Sequence, residues 1–132
     1  MAVDRSEWSL RAVEATRDLA AALDASVLVV HVKPVVDDGT REQVPLESMR
    51  TGNHLLAQER AILRKAGVEV SLQLRAAAVP HVAEEIVAAA QEFGADLIAV
   101  GAQGHPSEFG IVPGSVARGV LHRAHRPVLV VP

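Results

Sequence analysis

The chain has 132 residues, of which 49% are hydrophobic and 22% charged, a balance typical of one globular domain with a sizeable core. The net charge of −3 argues against non-specific binding to nucleic acid, and no apolar run approaches the length of a membrane span. The absence of cysteine excludes a disulfide framework, a thiolate zinc site and a thiol nucleophile, and it fits a protein of the reducing cytoplasm.

The first half of the chain alternates helical and strand patterns. Residues 4–23 carry apolar side chains at helical spacing, with Ser6 as the expected N-cap. The β-branched run 27–32 is typical of a buried parallel strand, whereas residues 33–44 contain a proline and a glycine that indicate a loop. Residues 45–66 form the second predicted helix.

The second half continues this alternation. Residues 68–75 alternate apolar and polar side chains, which predicts a half-buried strand at a sheet edge. A helix is expected over residues 80–93 and a buried strand over 96–100. A last helix over residues 115–124 precedes the closing apolar strand 127–131.

This alternation implies an α/β fold: a single domain, residues 1–132, with a parallel sheet between two layers of helices. Residues 2–4 look like the end of a first strand, but a central strand needs about five or six residues. Either this strand is clipped at the start of the chain, or the sheet has only a stub there. Ligands of such sheets bind beyond the carboxyl ends of the strands, where Val32 and Gly101 are expected to lie.

The segment after the predicted strand 96–100 carries the strongest functional signal. Gly101 and Gly104 are followed, after nine intervening residues, by Gly114 and Ser115, where a helix is expected to begin. Glycine permits positive φ and close approach of a ligand, and the free N–H groups of a helix N-terminus attract an anion. The pattern predicts a phosphate cradle and a bound nucleotide, although glycines in such a loop would also serve merely to turn the chain.

Several segments together resemble the universal stress protein family. Residues 2–7 look like its Val-Asp-Gly-Ser-Glu opening, residues 29–32 like its second strand, and residues 94–101 like its fourth strand. The closing segment, residues 114–131, is similar to the family's ending, and the glycine spacing is that of its ATP-binding subgroup. The resemblance covers essentially the whole chain.

This resemblance implies a three-layer sandwich around a five-stranded parallel sheet of order 3-2-1-4-5, with residues 2–4 counted as a truncated first strand. It also implies a cytoplasmic stress-response role and a homodimer formed through the last strand, from Pro127 to Val131. Slow ATP hydrolysis is a trait of some members. The sequence shows no general base with a recognised orienting partner, so dedicated catalysis is not expected.

The ATP-binding members of the family imply a set of ligand contacts. Asp4 would hydrogen-bond the adenosine, although it could instead simply cap the first helix, and Val32 would offer its backbone to the adenine edge. Gly101 and Gly104 would let the chain pass close to ribose and phosphates. Mg²⁺ would be held by phosphate oxygens and water. The implied residues are Asp4, Val32, Val100, Gly101, Gly104, Gly114, Ser115, Val116 and Ala117.

Two departures from the family pattern favour an alternative function. Glu108 places a carboxylate beside the expected phosphates, and Pro113 lacks an N–H that could bind them. The alternative is a nucleotide-free dimerisation module of the same fold, which uses the apolar closing strand. His31 lies in an apolar strand and is interpreted as a structural histidine, and Ser115 could serve only as a helix cap.

Overall fold

The computed structural model describes residues 1–37, 39–40, 42–103 and 114–132. Within these ranges the helices are α1 (Glu7–Leu23), α2 (Met49–Lys65), α3 (Val82–Phe93) and α4 (Ser115–Arg123), with a 3₁₀ turn at Val79–His81 before α3. The strands are β1 (Val27–Asp37), β2 (Gln43–Pro45), β3 (Val70–Ala78), β4 (Ile98–Gly101) and β5 (Val128–Val131). The predicted alternation of helices and strands is confirmed.

Local sequence signals explain where the helices begin and end. Ser6 is the N-cap of α1, as predicted, and its hydroxyl oxygen accepts a hydrogen bond from the Ser9 N–H. Ser48 caps α2 in the same way through the Thr51 N–H. Helix α3 ends at Gly94, whose φ of 72° is a left-handed conformation that glycine adopts without a steric penalty.

The strands form two sheets. In the first sheet, β1 pairs in parallel with β3, from Val27 opposite Val70 to Val35 opposite Ala78, and antiparallel with β2 at its carboxyl end. In the second sheet, β4 and β5 pair in parallel. The half-buried strand that the sequence predicts at a sheet edge is β3, which lies at the edge of the first sheet.

The prediction of one five-stranded parallel sheet in the order 3-2-1-4-5 is wrong in this form, because the segment counted as the first strand is too short. Residues 1–3 make a single bridge, between Ala2 and Val30 of β1. Hydrogen bonds nevertheless join this segment to both sheets: the Ala2 N–H donates to the Ala99 carbonyl of β4 (3.0 Å), and the Val3 N–H donates to the Val30 carbonyl (2.9 Å). Residues 1–3 therefore lie between β1 and β4.

The loop predicted over residues 33–44 is also corrected. Strand β1 continues to Asp37, and β2 pairs with its end, with Val36 opposite Val44. Pro34 remains within the strand, although it lacks an N–H, and its carbonyl accepts a hydrogen bond from the Leu46 N–H (3.0 Å). The β-branched residues that follow Pro34 favour extended backbone, which outweighs the proline as a loop signal.

Helices cover both faces of the strands, with α1 beside α2 and α3 beside α4. Under α3 and α4 the core consists of valine, isoleucine and alanine: Val30, Val32, Ala77, Ala83, Ile86, Ala89, Ala90, Ile98, Val100, Ala117 and Val120. Under α1 and α2 leucine joins valine: Val3, Val13, Ala20, Val27, Val29, Leu55, Leu56, Leu63 and Val68. Across the part of the chain that the structure describes, no helix is both long and apolar enough to cross a membrane.

Candidate functional site

A cavity of about 90 Å³ lies where β1 and β4 meet residues 2–4 and the start of α4. Its apolar wall includes side chains of β1, β4 and α3, and its polar groups come from Asp4, Ser9 and Gln103. Ligand pockets commonly span about 300–1,000 Å³, so a nucleotide would lie only partly within this cavity and extend from its mouth.

The structure brings most of the predicted site residues together. Those that line the cavity are Asp4, Val32, Val100, Gly101, Val116 and Ala117. Gly114 and Ser115 lie at the start of α4, outside the cavity wall, and Ser115 is exposed. Gly104 lies outside the described residues, as do Glu108 and Pro113.

Asp4 is half-buried and is held by the first turn of α1. Its Oδ1 accepts hydrogen bonds from the Ser6 N–H (2.8 Å) and the Ser6 hydroxyl (2.5 Å), and the Asp4 N–H donates to the Ser9 Oγ (2.9 Å). Because Ser6 is the N-cap, Asp4 supports the start of the helix and also lines the cavity. The interpretation of Asp4 as the cap of the first helix is therefore wrong, because Ser6 takes that position, but its support of Ser6 is compatible with contact with a ligand.

Gly101 allows α1 to approach the end of β4. A Cβ at this position would lie 2.8 Å from the carbonyl carbon of Trp8 and 2.9 Å from its carbonyl oxygen. Both are backbone atoms of α1 that cannot rotate away, so a side chain at position 101 would push the helix from the strand. The close packing of α1 against β4 thus requires a glycine at position 101, whether or not a ligand also passes close to it.

The N-terminus of α4 presents N–H groups without helical partners. Gly114 is the N-cap, with a left-handed φ of 84°, and no described side chain caps the helix. The first helical hydrogen bond runs from the Arg118 N–H to the Gly114 carbonyl (3.0 Å). The N–H groups of Ser115, Val116 and Ala117 therefore lie ahead of this ladder, at the positive end of the helix dipole. The interpretation of Ser115 as the cap is wrong, because Gly114 takes that position.

Val32 directs its backbone toward the edge of β1 that faces the cavity. On this edge the Val30 carbonyl accepts a hydrogen bond from the Val3 N–H, and the Pro34 carbonyl accepts a hydrogen bond from the Leu46 N–H. Because backbone groups of alternate strand residues point to the same side, the N–H and carbonyl of Val32 point to this edge, between those two attachments. Such a donor and acceptor pair suits the polar edge of a flat ring.

Sequence reasoning missed several lining residues. Ser9 and Gln103 add polar groups, and Val82 and Ile86 of α3 add to the apolar wall. The four-residue spacing of Val82 and Ile86 on one helix face is a signal that could have found them. Ser9 and Gln103 carry no comparable signal, since only the folded chain brings them beside Asp4.

Among the described residues that line the cavity, Asp4 has the only ionisable side chain. Outside the cavity, Glu84 of α3 contacts His81 (2.7 Å) and Arg123 of α4 (3.1 Å). The hydrogen bond with His81 is the main reason that the pKa of the Glu84 carboxyl is lowered. Among the described residues, no group of three or more histidine, aspartate and glutamate side chains could hold a metal ion.

Comparison with known proteins defines the class of this chain. The family model of the universal stress protein family matches residues 1–132. Universal stress protein MJ0531 of Methanocaldococcus jannaschii is 34% identical over 134 residues, which cover 97% of this chain and 77% of that protein. The chain therefore belongs to the universal stress protein family, and the resemblance inferred from its motifs is confirmed.

Two similar solved structures contain nucleotides. The universal stress protein of Archaeoglobus fulgidus in complex with dAMP is 28% identical, with a TM-score of 0.72, and the match covers 99% of this chain and 94% of that one. A universal stress protein in complex with cAMP is 26% identical, also with a TM-score of 0.72, and the match covers 99% of this chain and 92% of that one. Relatives with this fold thus bind adenine nucleotides.

Proposed function

We propose that this chain binds an adenine nucleotide at the cavity between β1, β4 and α4, and that nucleotide occupancy regulates its conformation or its binding to a partner in a stress response. The observation that carries this proposal is the convergence of three groups on one cavity. These are the Asp4 side chain, the backbone edge at Val32, and the start of α4, where Val116 and Ala117 line the cavity and Ser115 lies outside its wall. The relatives in complex with dAMP and cAMP support it.

Each group suits one part of the ligand. The carboxylate of Asp4 would accept hydrogen bonds from ribose hydroxyls, and the donor and acceptor of Val32 would meet the adenine edge. The start of α4 would bind phosphate oxygens through its N–H groups and dipole. The apolar wall at Ile86 and Val100 would cover the face of the base, since the chain has only 2% aromatic residues to stack on it.

We propose ATP as the physiological nucleotide, with Mg²⁺ held by phosphate oxygens and water, and a cytoplasmic location, where ATP is supplied. Three N–H groups at the start of α4 favour a ligand with several phosphate oxygens over a nucleoside. We propose no dedicated catalysis, because Oδ1 of Asp4 already accepts hydrogen bonds from the N–H and the hydroxyl of Ser6.

Calorimetric titration of the purified chain with ATP, AMP, cAMP and GTP, each with and without Mg²⁺, tests this proposal. The adenine nucleotides should bind. GTP should bind at least about tenfold more weakly, because guanine presents a different edge to Val32. The fluorescence of Trp8, the single tryptophan, offers a second readout because its backbone adjoins Gly101. Lack of binding by every nucleotide would refute the proposal.

Paired variants locate the site. Asp4→Asn should weaken binding about tenfold or more, whereas Asp96→Asn, at an exposed position before β4, should leave it unchanged. Replacement of both Gly114 and Ser115 by alanine should abolish binding of ATP while the far-ultraviolet circular dichroism is preserved. Equal affinity of this double variant and the wild type would remove the start of α4 from the site.

A homodimer through the last strand is a second proposal. Strand β5 pairs with β4 on one side, and all four of its residues are only half-buried in the isolated chain. An apolar edge strand of this kind favours pairing with another chain. Sedimentation across a concentration series should give a dimer; a monomer at all concentrations would contradict it. A dimer that binds no nucleotide would favour the nucleotide-free dimerisation module.

A further inference from the structure

His31 lies outside the cavity, on the opposite face of β1, yet it contacts the segment that carries Asp4. The residue is 4% exposed. The Nδ1 atom lies 2.8 Å from the carbonyl oxygen of Val3, and the Nε2 atom lies 2.6 Å from Oε1 of Glu47, whose side chain is also buried. These contacts fit the interpretation of His31 as a structural histidine, and they also connect it to the segment that carries Asp4.

The partners of His31 determine its tautomer. A carbonyl oxygen can only accept a hydrogen bond, so Nδ1 must carry a hydrogen and donate it to Val3. At 2.6 Å, the contact between Nε2 and Glu47 needs one further proton, on either the ring or the carboxyl group. Both nitrogens are therefore engaged, and the ring has a defined orientation.

The ring is also fixed by packing. A Cβ added at Gly52 of α2 would lie 3.3 Å from Cδ2 of His31, 2.9 Å from Oε1 of Glu47 and 2.7 Å from Cδ1 of Leu74. Helix α2 therefore lies close to the pair, and a methyl group at position 52 would displace Leu74 and Glu47 from their present positions.

The peptide unit between Val3 and Asp4 is held at both ends. Its carbonyl accepts from His31, and its N–H donates to the Ser9 Oγ (2.9 Å). A peptide unit is planar, so these two bonds together fix its rotation and thus the direction in which the Asp4 side chain leaves the backbone. The Ser6 N–H then fixes the carboxylate itself.

We propose that His31, oriented by Glu47, is a positioning residue that fixes the Val3–Asp4 peptide and so aims the Asp4 carboxylate at the ligand. This inference rests on the proposed function, in which Asp4 contacts the nucleotide. The core under α1 and α2 is thereby linked to the binding cavity on the other side of β1.

Two substitutions at position 31 separate the two ring nitrogens. His31→Asn keeps an amide N–H near the place of Nδ1 and loses the contact with Glu47. His31→Gln places its N–H near Nε2 and loses the bond to Val3. Both leave a smaller side chain in the same buried position, so they serve as controls for each other. The readouts are the affinity for ATP and, in the nucleotide-free protein, the hydrogen exchange rate of the Asp4 amide.

His31→Gln should weaken binding of ATP about tenfold, the effect of one buried hydrogen bond, and should speed exchange of the Asp4 amide. His31→Asn should stay closer to the wild type in both. Gly52→Ala displaces the same pair from α2 without touching the cavity, so it should behave like His31→Gln. If the variants at position 31 do not fold, Gly52→Ala tests whether His31 and Glu47 position the Asp4 carboxylate.

Equal affinities and equal Asp4 exchange rates for His31→Gln and His31→Asn would overturn the inference. If the wild type binds no nucleotide, the proposed function fails. In that case the exchange rates of the Asp4 amide still show whether His31 fixes the peptide. The two failures are therefore distinguishable.

Discussion

On the face covered by α3 and α4, the core contains only valine, isoleucine and alanine side chains, whereas the face covered by α1 and α2 also buries polar groups among its leucines. His31, Lys33 and Glu59 are all under 9% exposed on that second face. The apolar face supplies the wall of the cavity, including Ile86 and Val100. The polar face supplies the hydrogen bonds that hold the Val3–Asp4 peptide. The binding cavity therefore depends on both faces, but through different kinds of interaction.

Truncation of one core residue on each face tests whether both are equally well packed. Leu63 and Val120 are each 0% exposed. Leu63→Ala should lower the free energy of unfolding by about 3 kcal/mol and Val120→Ala by about 2 kcal/mol, because each loses buried methyl groups and leaves a cavity. Urea denaturation followed by circular dichroism measures both values. A loss of well under about 1 kcal/mol at either position would show that its face is loosely packed.

A second test concerns Gly101, where α1 on one face meets the end of β4. Gly101→Ala should destabilise the fold by about 2 kcal/mol, because the new Cβ meets backbone atoms of Trp8 that cannot yield. Gly67→Ala tests the other reason for a glycine, since a Cβ there would meet nothing within 4 Å and its left-handed φ of 77° alone should cost about 1–2 kcal/mol. If thermal denaturation shows Gly101→Ala to be as stable as the wild type, α1 and β4 are not in close contact.

Gly119 gives a smaller effect on the apolar face. A Cβ at this position of α4 would lie 2.6 Å from the Cβ of Ala83 on α3. The better helix propensity of alanine, about 1 kcal/mol, offsets part of the resulting strain, so Gly119→Ala should cost about 1 kcal/mol of unfolding free energy. The double variant with Ala83→Gly removes the opposing methyl group. It should show a favourable coupling in a double-mutant cycle, and purely additive effects would contradict the close approach of the two helices.

Much of the apolar face could be predicted from the sequence, because it depends on periodicity. The strand containing Val32 and the strand before Gly101 follow from local patterns, as does the cap of α1 at Ser6 on the other face. The loop expected where β2 forms was wrong, because the pairing of Val36 with Val44 depends on a return of the chain that local propensity does not encode.

The polar links to Asp4 could not be predicted from the sequence. His31 lies 28 residues from Val3 and 16 residues from Glu47 along the chain, so only the folded structure brings the three together. Likewise, the sequence predicts a short first strand, but not that residues 1–3 would form only one bridge while hydrogen-bonding to β1 and β4. Long-range hydrogen bonds between single residues leave no periodic signal.

The smallest expected effect concerns Glu59 on α2, and its sign is opposite to those above. Glu59 is 6% exposed, and its Oε2 has no hydrogen-bond partner among the described residues. Burial raises the pKa of its carboxyl group above the ordinary value of 4.5, because the charged form is poorly solvated there. The folded protein therefore keeps a proton on Glu59 at pH values where the unfolded chain has lost it.

This difference in proton binding means that the free energy of unfolding falls as the pH rises from about 4.5 through the raised pKa, and the penalty is complete above that pKa. Glu59→Gln removes the titration, so it should be more stable than the wild type at pH 8, by under about 1 kcal/mol because the amide must also be buried. The advantage should shrink as the pH falls toward 4.5. Urea denaturation from pH 4 to 8 measures this, with Glu69→Gln at an exposed position as the control. An advantage that is independent of pH would show that the buried charge of Glu59 does not destabilise this face.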